Sequence, residues 1–389
     1  MAKKDEKKEV TPTNAKDLKK AKDERIAKRK AEFLKEVKKI NAEAMKKSDV
    51  EDTVIAPIST FGGTANVKRF SSGSLVLDSI SGGGFPHGRI IEIYGPESSG
   101  KTSIALNAIA NVQREGGNAV FVDAEQALDT NYASVLGVDV SDLVLAQVSI
   151  AEDALQLCVN LAKSGTTDLI VVDSVAALVP KQEAEGDMDK QQVGLMARIM
   201  SKALRVLTPL CAKNNCTVIF LNQIREKVGV MFGNPETTPG GKALKFFASQ
   251  RIEIRRKGQE TEGKEVIGTT VRMKMVKNKV APPFKEGLTV LTFAHGINRP
   301  AEMLVIGDEK GIIEKEGRSY YFTPRDGEDI TLTGDISSKE DDGRIKIATS
   351  KGDAVTALGA EPELFEAVAR AVAKSIDEDR EGLDPTLNN

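Results

Sequence analysis

An α/β fold, a mostly parallel central sheet with helices on both faces, is what this sequence predicts, and two observations predict it. Between about Val67 and Pro300 short apolar runs alternate with helical patterns, which is how strands joined by crossover helices read along a chain. Within that alternation, Gly95-Pro96-Glu97-Ser98-Ser99-Gly100-Lys101-Thr102 follows the apolar run Arg89 to Tyr94 and precedes the helical stretch that opens Ser103-Ile104-Ala105-Leu106. A G-x-x-x-x-G-K-T pattern between a strand and a helix is a phosphate-binding loop. Its glycines let successive backbone N–H groups turn inward, and the helix adds its positive N-terminal end. Gly95 to Ser103 are thus the expected nucleotide contacts, with Lys101 reaching the β and γ phosphates and the Thr102 hydroxyl binding Mg²⁺. A nucleoside triphosphate and Mg²⁺ are the implied ligands.

Composition sets the outer limits. The 389 residues are enough for one large core with small additions. Hydrophobic residues make up 40% and charged residues 29%, and no apolar run is long enough to span a bilayer. Met1-Ala2-Lys3-Lys4-Asp5 opens no apolar signal segment. Cys158, Cys211 and Cys216 show no metal-ligand spacing and read as buried and reduced, so a cytoplasmic location is expected. His87 and His295 fall in loops and carry no expected chemistry. The net charge of −2 hides a division: residues 1–47 hold 17 Lys/Arg against 9 Asp/Glu, and the remainder 38 against 48. A basic arm on an acidic body is either a nucleic-acid contact or a solvated extension. Aromatic residues are only 4%, with no Trp, which argues against a surface built on base stacking.

Taken in order, residues 1–20 are Lys-rich and read as disordered. Asp23 to Lys47 carries Ile26, Phe33, Leu34, Val37, Ile40 and Ala44 as one thin apolar stripe, a helix that needs a partner. Thr53 to Ile58 reads as a short strand and Gly62-Gly63 as a turn. The core strands expected are Arg89–Tyr94, Ala119–Asp123, Leu143–Gln147, Leu169–Asp173 and Thr217–Leu221. Gln250–Arg255 and Thr270–Val276 form an antiparallel extension with polar Gly258–Gly268 as its hairpin turn.

Chemistry gathers at strand ends. Asp168-Leu169-Ile170-Val171-Val172-Asp173 is an apolar strand ending in an acid, the form in which Asp173 holds the Mg²⁺ water shell opposite a phosphate loop. In Phe121-Val122-Asp123-Ala124-Glu125, Glu125 lies beyond the strand end and is the candidate base, while Asp123 is structural. Thr217 to Leu221 runs into Asn222-Gln223, two amides able to sense a γ phosphate. The loop Ile224 to Gly241 is too long for plain connection. It carries Arg225, Lys227 and Lys242 beside Val228, Val230, Met231 and Phe232, charge for a phosphate backbone and apolar groups to wedge between bases. A second loop, Pro180 to Gln192, leads into a helix with Arg198, Lys202 and Arg205 on one stripe. The plain alternative for that stripe is a solvated helix face; two loops and a stripe that all follow strand ends favour a DNA surface.

From Val67 to Gly311 these residues resemble the bacterial RecA recombinases, and the most specific stretch runs from Asn222 to Phe246: Asn-Gln-Ile-Arg, Gly-Val-Met-Phe-Gly-Asn-Pro-Glu-Thr-Thr and Gly-Gly-Lys-Ala-Leu-Lys-Phe. The resemblance implies a P-loop NTPase RecA-like core with a mostly parallel sheet, an N-terminal helix/strand arm and a small α/β C-terminal domain. In residue ranges these are a basic, oligomerising arm (1–66), an ATPase core with DNA loops at about 180–193 and 224–241 (67–300), a small domain (301–376) and an acidic tail (377–389). It further implies a helical filament of this chain on single-stranded DNA, ATP held between subunits, pairing with double-stranded DNA, strand exchange in repair, and activation of LexA-type repressor self-cleavage in the SOS response. Carried over by position, Glu125 is the base, Gln223 the γ-phosphate sensor, and Asp129 and Tyr132 the adenine contacts. Lys277 and Lys279 resemble the pair that reaches the neighbour's phosphates, and Phe246 the residue that passes the nucleotide state across the interface. Arg198, Ser201, Arg205, Val228, Thr237, Gly240 and Gly241 fall where the family meets DNA, and Arg225 and Lys242 add positive charge to the same candidate DNA surface.

This chain departs from the family in several places. Gln126 stands where His is frequent, Lys242 where Asn is usual and Val193 where Met is usual; the arm before Asp23 is long, and Arg325 to Gly343 matches poorly. Glu361 to Ile376 reads as a final helix, followed by the acids Asp377, Glu378, Asp379, Glu381 and Asp384. Three other classes share parts of this pattern. A hexameric motor or helicase shares the core but needs an arginine finger where Lys277 and Lys279 stand; an ATP-gated scaffold would not need Lys101, Glu125 and Gln223 together; a small-molecule kinase would lack the two loops.

Overall fold

The computed structural model describes residue 20, residue 24, residues 26–29, 31–33, 35–36 and 39, and then 67–186, 194–226, 236–262, 264–324 and 328–381. The chain divides into two compact units, Met1–Gly63 and Thr64–Asn389. In the first, every described residue is helical and exposed, Ile26 and Phe33 among them at 53% and 67%. The described part of the expected Asp23–Lys47 helix is therefore helical, with Ile26 and Phe33 open, while Leu34, Val37, Ile40 and Ala44 of its stripe lie outside the described residues. Residues 1–19, the Thr53–Ile58 strand and the Gly62-Gly63 turn lie outside the described residues.

In the second unit, β1 (Arg69–Phe70) and β2 (Phe85–Pro86) form a small antiparallel pair flanking the helix Leu75–Ser81. Then come β3 (Ile90–Gly95), β4 (Ala119–Asp123), β5 (Val144–Gln147), β6 (Leu169–Asp173) and β7 (Thr217–Gln223). Crossover helices Lys101–Arg114, Thr130–Val135, Ala151–Ser164 and Leu195–Asn214 lie between them. A pair of two-residue strands, β8 (Arg225–Glu226) and β9 (Glu236–Thr237), precedes β10 (Gln250–Glu262), β11 (Glu265–Asn278), β12 (Glu286–Thr292) and β13 (Gly296–Ile297). The large sheet has the order β13-β12-β11-β10-β3-β7-β6-β4-β5. From β10 to β5 neighbours run parallel; β10 to β13 are antiparallel. β14 (Ile313–Glu316), β15 (Ser319–Phe322), β16 (Ser338–Lys339) and β17 (Ile345–Ala348) make a four-stranded antiparallel sheet with the helices Arg299–Glu309, Lys351–Ala360 and Pro362–Glu381.

Period-two side-chain alternation explains why the core strands read as continuous apolar runs. On β4, Ala119 and Phe121 enter one buried cluster and Val120 and Val122 the other; β6 divides Leu169 and Val171 from Ile170 and Val172 in the same way. The helix Lys101–Arg114 supplies Ile104, Ala105 and Ile109 to the first layer, and Ala151–Ser164 and Leu195–Asn214 supply Leu155, Cys158, Leu204 and Leu207 to the second. The first cluster continues without a break into Ile345, Ile347 and Leu364 beside the small sheet. All three cysteines are free and buried.

Two expectations need correcting. Gly258 to Gly268 is not a turn: β10 and β11 pair through Glu262↔Glu265, with register shifts at Arg256/Gly258 and Glu260/Thr261. Those residues are mostly exposed, so this end of the ribbon needs no apolar face, and its polarity imitated a loop. Gln250–Arg255 is also no purely antiparallel addition, because Gln250 to Glu253 pair parallel with Ile91 to Tyr94 of β3. The final helix runs to Glu381 and takes in Asp377, Glu378, Asp379 and Glu381; residues 382–389 are outside the described set.

Candidate functional site

The candidate residues meet at the carboxyl ends of β3, β7, β6 and β4, where open parallel sheets place ligands. Register brings them there: Gly95 lies opposite Gln223 across β3 and β7, and Asp123 opposite Asp173 across β4 and β6.

The loop after β3 is shaped for a close-fitting ligand. A Cβ on Gly95 would lie 2.1 Å from the Ile254 carbonyl oxygen, and Gly100 has φ of 93° with the Leu291 side chain 2.1 Å from the place of its Cβ. Only glycine fits either position. Lys101 Nζ donates to the Gly95 and Pro96 carbonyls at 3.3 and 2.8 Å. Burial lowers its pKa from the ordinary lysine value, against the charges of Asp173, Glu125 and Glu97. The Ser99 hydroxyl is buried with no hydrogen-bond partner, a polar group that a phosphate oxygen would satisfy. Pro96, Glu97 and Ser98 are exposed at the rim, and Arg256 Nε donates to the Ser98 carbonyl at 2.7 Å.

A cavity of about 330 Å³ opens here, lined by Ser98 to Ser103 together with Tyr132, Arg256, Thr269, Leu291, Thr292 and Phe293. That size is at the small end of the range for ligand clefts. Tyr132 Oη lies 2.9 Å from Ser103 Oγ. Asp129 is exposed, and its carboxylate caps the helix Thr130–Val135 by accepting from the Asn131 and Tyr132 N–H groups. It orients Tyr132 and does not itself line the cavity. Arg256, Thr269 and Leu291 to Phe293 were missed by sequence reasoning. They come from the antiparallel ribbon, far along the chain, and the Arg255-Arg256 pair was their only local sign.

At the end of β6, Asp173 Oδ2 accepts from Thr102 Oγ1 at 2.6 Å. Burial, helped by the Glu125 charge, pushes the Asp173 carboxyl up to about 6. A hydroxyl and a carboxylate are hard oxygen ligands of the kind Mg²⁺ takes one or two at a time, beside water and phosphate. Among the described residues no group of three His, Cys, Asp or Glu is placed to hold a metal by itself. The donors present therefore fit a cation that arrives with a nucleotide.

Glu125 is exposed and is held by two partners, accepting from the Ser174 hydroxyl and from Gln223 Nε2, the latter at 3.2 Å. Ser174 is a further site residue that sequence reasoning did not single out. Asp123 is buried and accepts from the Ala127 and Leu128 N–H groups, the structural role expected of it.

Beyond Gln223, β8 and β9 pair as Arg225↔Thr237 and Glu226↔Glu236, closing the neck of the loop. Val228 and residues 227–235 lie outside the described residues, as do 187–193 of the other loop, Val193 included. Arg198, Lys202 and Arg205 are exposed on Leu195–Asn214, with Ser201 half-buried between them, while Met200, Leu204, Leu207 and Cys211 face the core. Gly240 is buried, Gly241 half-buried and Lys242 exposed; a Cβ on Gly241 would lie 2.6 Å from Ala197 Cβ, so this glycine pair seats the loop against that helix. Phe246 is 69% exposed. Lys277 Nζ donates to the Lys245 and Phe246 carbonyls at 2.8 Å, and Lys279 Nζ to the Phe246 carbonyl at 3.2 Å. Burial and the nearby Lys279 charge bring Lys277 down to about 8. Both lysines attach to the helix Ala243–Phe247 and not to Lys101, since β10 stands between β11 and β3.

No described helix is long and apolar enough to cross a membrane. Residues 58–298 match the family of the RecA N-terminal domain. Protein RecA of Staphylococcus carnosus is 54% identical over 257 residues, covering 66% of this chain and 72% of that protein. Protein RecA of Macrococcus caseolyticus is 54% identical over 266 residues, 68% and 74% of the two chains, and that of Bacillus velezensis is 55% identical over 252 residues, 64% and 73%. With a phosphate loop, a carboxylate bridging its neighbour strand to Gln223 and a matched span of this extent, the chain belongs to the RecA family of DNA-dependent, ATP-hydrolysing recombinases.

Proposed function

We propose that this chain assembles as a helical filament on single-stranded DNA, binds ATP with Mg²⁺ between neighbouring subunits, and pairs the bound strand with homologous duplex for strand exchange. One observation carries the reading: Glu125 touches Gln223, the residue that opens the Ile224–Gly241 loop, so one carboxylate belongs both to the hydrolytic site and to the DNA loop.

On this reading Lys101 sheds its two backbone carbonyl contacts to meet the β and γ phosphates, and the N–H groups of the loop take up phosphate charge. Thr102 and Asp173 hold Mg²⁺, which when bound neutralises charge on the β and γ phosphates. Glu125 accepts the proton of the attacking water, as a base must within hydrogen-bond reach. Gln223 exchanges its bond to Glu125 for one to the γ phosphate and thereby repositions the loop. Tyr132 packs on the base and Asp129 holds it there. Lys277 and Lys279 serve the phosphates of the adjoining subunit as an arginine finger does, and Phe246 reports that contact. Arg198, Ser201, Arg205, Arg225, Val228, Thr237, Gly240, Gly241 and Lys242 meet DNA, mostly at its backbone, with sequence read by base pairing and affinity falling with salt.

The same reading assigns residues 1–66 to assembly, 67–300 to the ATPase core, 301–376 to a small accessory domain and 377–389 to an acidic tail, in a cytoplasmic protein. It extends to promoting self-cleavage of LexA-type repressors in the SOS response. Strand exchange between a circular single strand and a homologous linear duplex tests it. Joint molecules that need ATP and homology are expected; DNA binding and hydrolysis without homology-dependent pairing would leave only a motor.

A further inference from the structure

A buried ion pair lies behind the loop, and neither of its members belongs to the site described above. Glu92 on β3 and Arg251 on β10 are register partners and form a salt bridge, their side chains 0% and 11% exposed. The guanidinium lies 4.7 Å from the centre of the Tyr94 ring. The other Glu92 oxygen accepts from Asn222 Nδ2 at 3.2 Å. Asn222, fully buried, also donates to the Pro239 carbonyl at 3.2 Å and accepts from the Gln223 N–H at 3.0 Å. One amide thus fastens both ends of the loop, Gln223 at its start and Pro239 at its exit, and is itself fixed by a charge three residues before the phosphate loop.

The geometry points to Glu92, Arg251 and Asn222 as a positioning relay for hydrolysis, which sets Gln223 against Glu125 and ties the register of the DNA loop to the strand that carries the phosphate loop. The inference rests on Gln223 acting as the sensor in the function proposed above. Packing alone does not require this arrangement. A charged pair out of water is held only where its geometry is good and its remaining lone pairs are satisfied, and an apolar pair of similar volume would fill the space as well. Here the lone pair left over is spent on Asn222. Arg251 also faces Lys277 across β10 and β11, so the relay begins beside the lysines that the proposed function sends to the neighbouring subunit.

Four full-length chains test it: the parent, Glu92→Gln, Asn222→Ala and the double variant. The measurements are ATP turnover with single-stranded DNA and the Kd of a fluorescent ATP analogue without DNA. Each single variant is expected to lose about tenfold or more in DNA-stimulated turnover, as a displaced catalytic group does, while Kd stays within about twofold of the parent. The double variant is expected to lose no more than the worse single variant, because both substitutions break one chain of contacts. Losses that multiply in the double variant, or turnover unchanged in either single variant, would overturn the relay. So would nucleotide affinity falling in step with turnover, which is the signature of a pair that only supports the fold. A parent chain that DNA does not stimulate counts against the proposed function and not against the relay; the same cycle read on DNA-free turnover then decides the relay by the same criteria.

Discussion

Thr102 and Asp173, 71 residues apart in the chain, share a hydrogen bond of 2.6 Å that closes the phosphate loop onto the end of β6. Strand order explains the contact. β3 and β6 are separated only by β7, and β4, the strand that leads to Glu125, lies next to β6. The proposed base, the proposed cation ligands and the phosphate loop therefore converge at the carboxyl ends of these neighbouring strands.

Asp173→Ala is expected to raise the Mg²⁺ concentration needed for half-maximal hydrolysis by about tenfold or more, as loss of a metal-fixing group does. Binding of an ATP analogue without Mg²⁺ is expected to stay near the parent value. A Mg²⁺ titration of turnover checks this, and an unshifted midpoint would remove Asp173 from the cation site.

Glu125→Gln keeps the shape of the side chain and an oxygen for the Ser174 and Gln223 bonds but cannot take a proton. Turnover is expected to fall by about 10²–10⁴-fold with nucleotide affinity retained. Single-turnover kinetics beside equilibrium binding separates the two. Turnover close to that of the parent would assign the base elsewhere.

Mixing addresses the lysines. Lys101→Ala and Lys277→Ala are each expected to be inactive alone. If Lys277 serves the adjoining subunit, a mixture contains interfaces that pair an intact Lys277 with an intact Lys101, and part of the activity returns. Mixtures no more active than the two components would place Lys277 in its own subunit's chemistry.

Glu302 offers a pH test of the fold. It accepts from the Ser74 and Thr289 hydroxyls and the Leu75 N–H, yet burial pushes its carboxyl from 4.5 up to about 7. A raised acid binds its proton more tightly in the folded chain than in the unfolded one. Its contribution is therefore fully present below about pH 4.5 and is lost as pH rises through about 7, on the order of 3 kcal/mol. Asp78, buried and raised likewise, acts in the same direction. Glu302→Gln has no proton to lose, so its thermal midpoint is expected to gain on that of the parent between pH 5.5 and 8. Parallel curves would mean that Glu302 does not titrate there.

Much of this was legible in the sequence, because the core strands are short apolar runs bounded by chemistry-bearing ends. Gly95 to Thr102, Glu125, Asp173 and Gln223 are local signals, each at the end of such a run, and the sheet brings them together as expected. Arg256, Thr269 and Leu291 to Phe293 gave little sign because tertiary pairing alone carries the ribbon to the phosphate loop. Gly258 to Gly268 misled because an exposed ribbon needs no apolar alternation. Asn222 read beside Gln223 as an amide able to sense the γ phosphate, but it is fully buried and bonded to Glu92 and Pro239; that contact, like the Ser174 bond to Glu125, depends on strand register, which composition does not encode.

ATP hydrolysis with and without single-stranded DNA, beside Lys101→Ala, is the most direct test of the account. Strong stimulation that vanishes in the Lys101→Ala chain is the predicted result. Hydrolysis that is the same with and without DNA would contradict the coupling of Glu125 to the DNA loop through Gln223 and leave a DNA-independent ATPase.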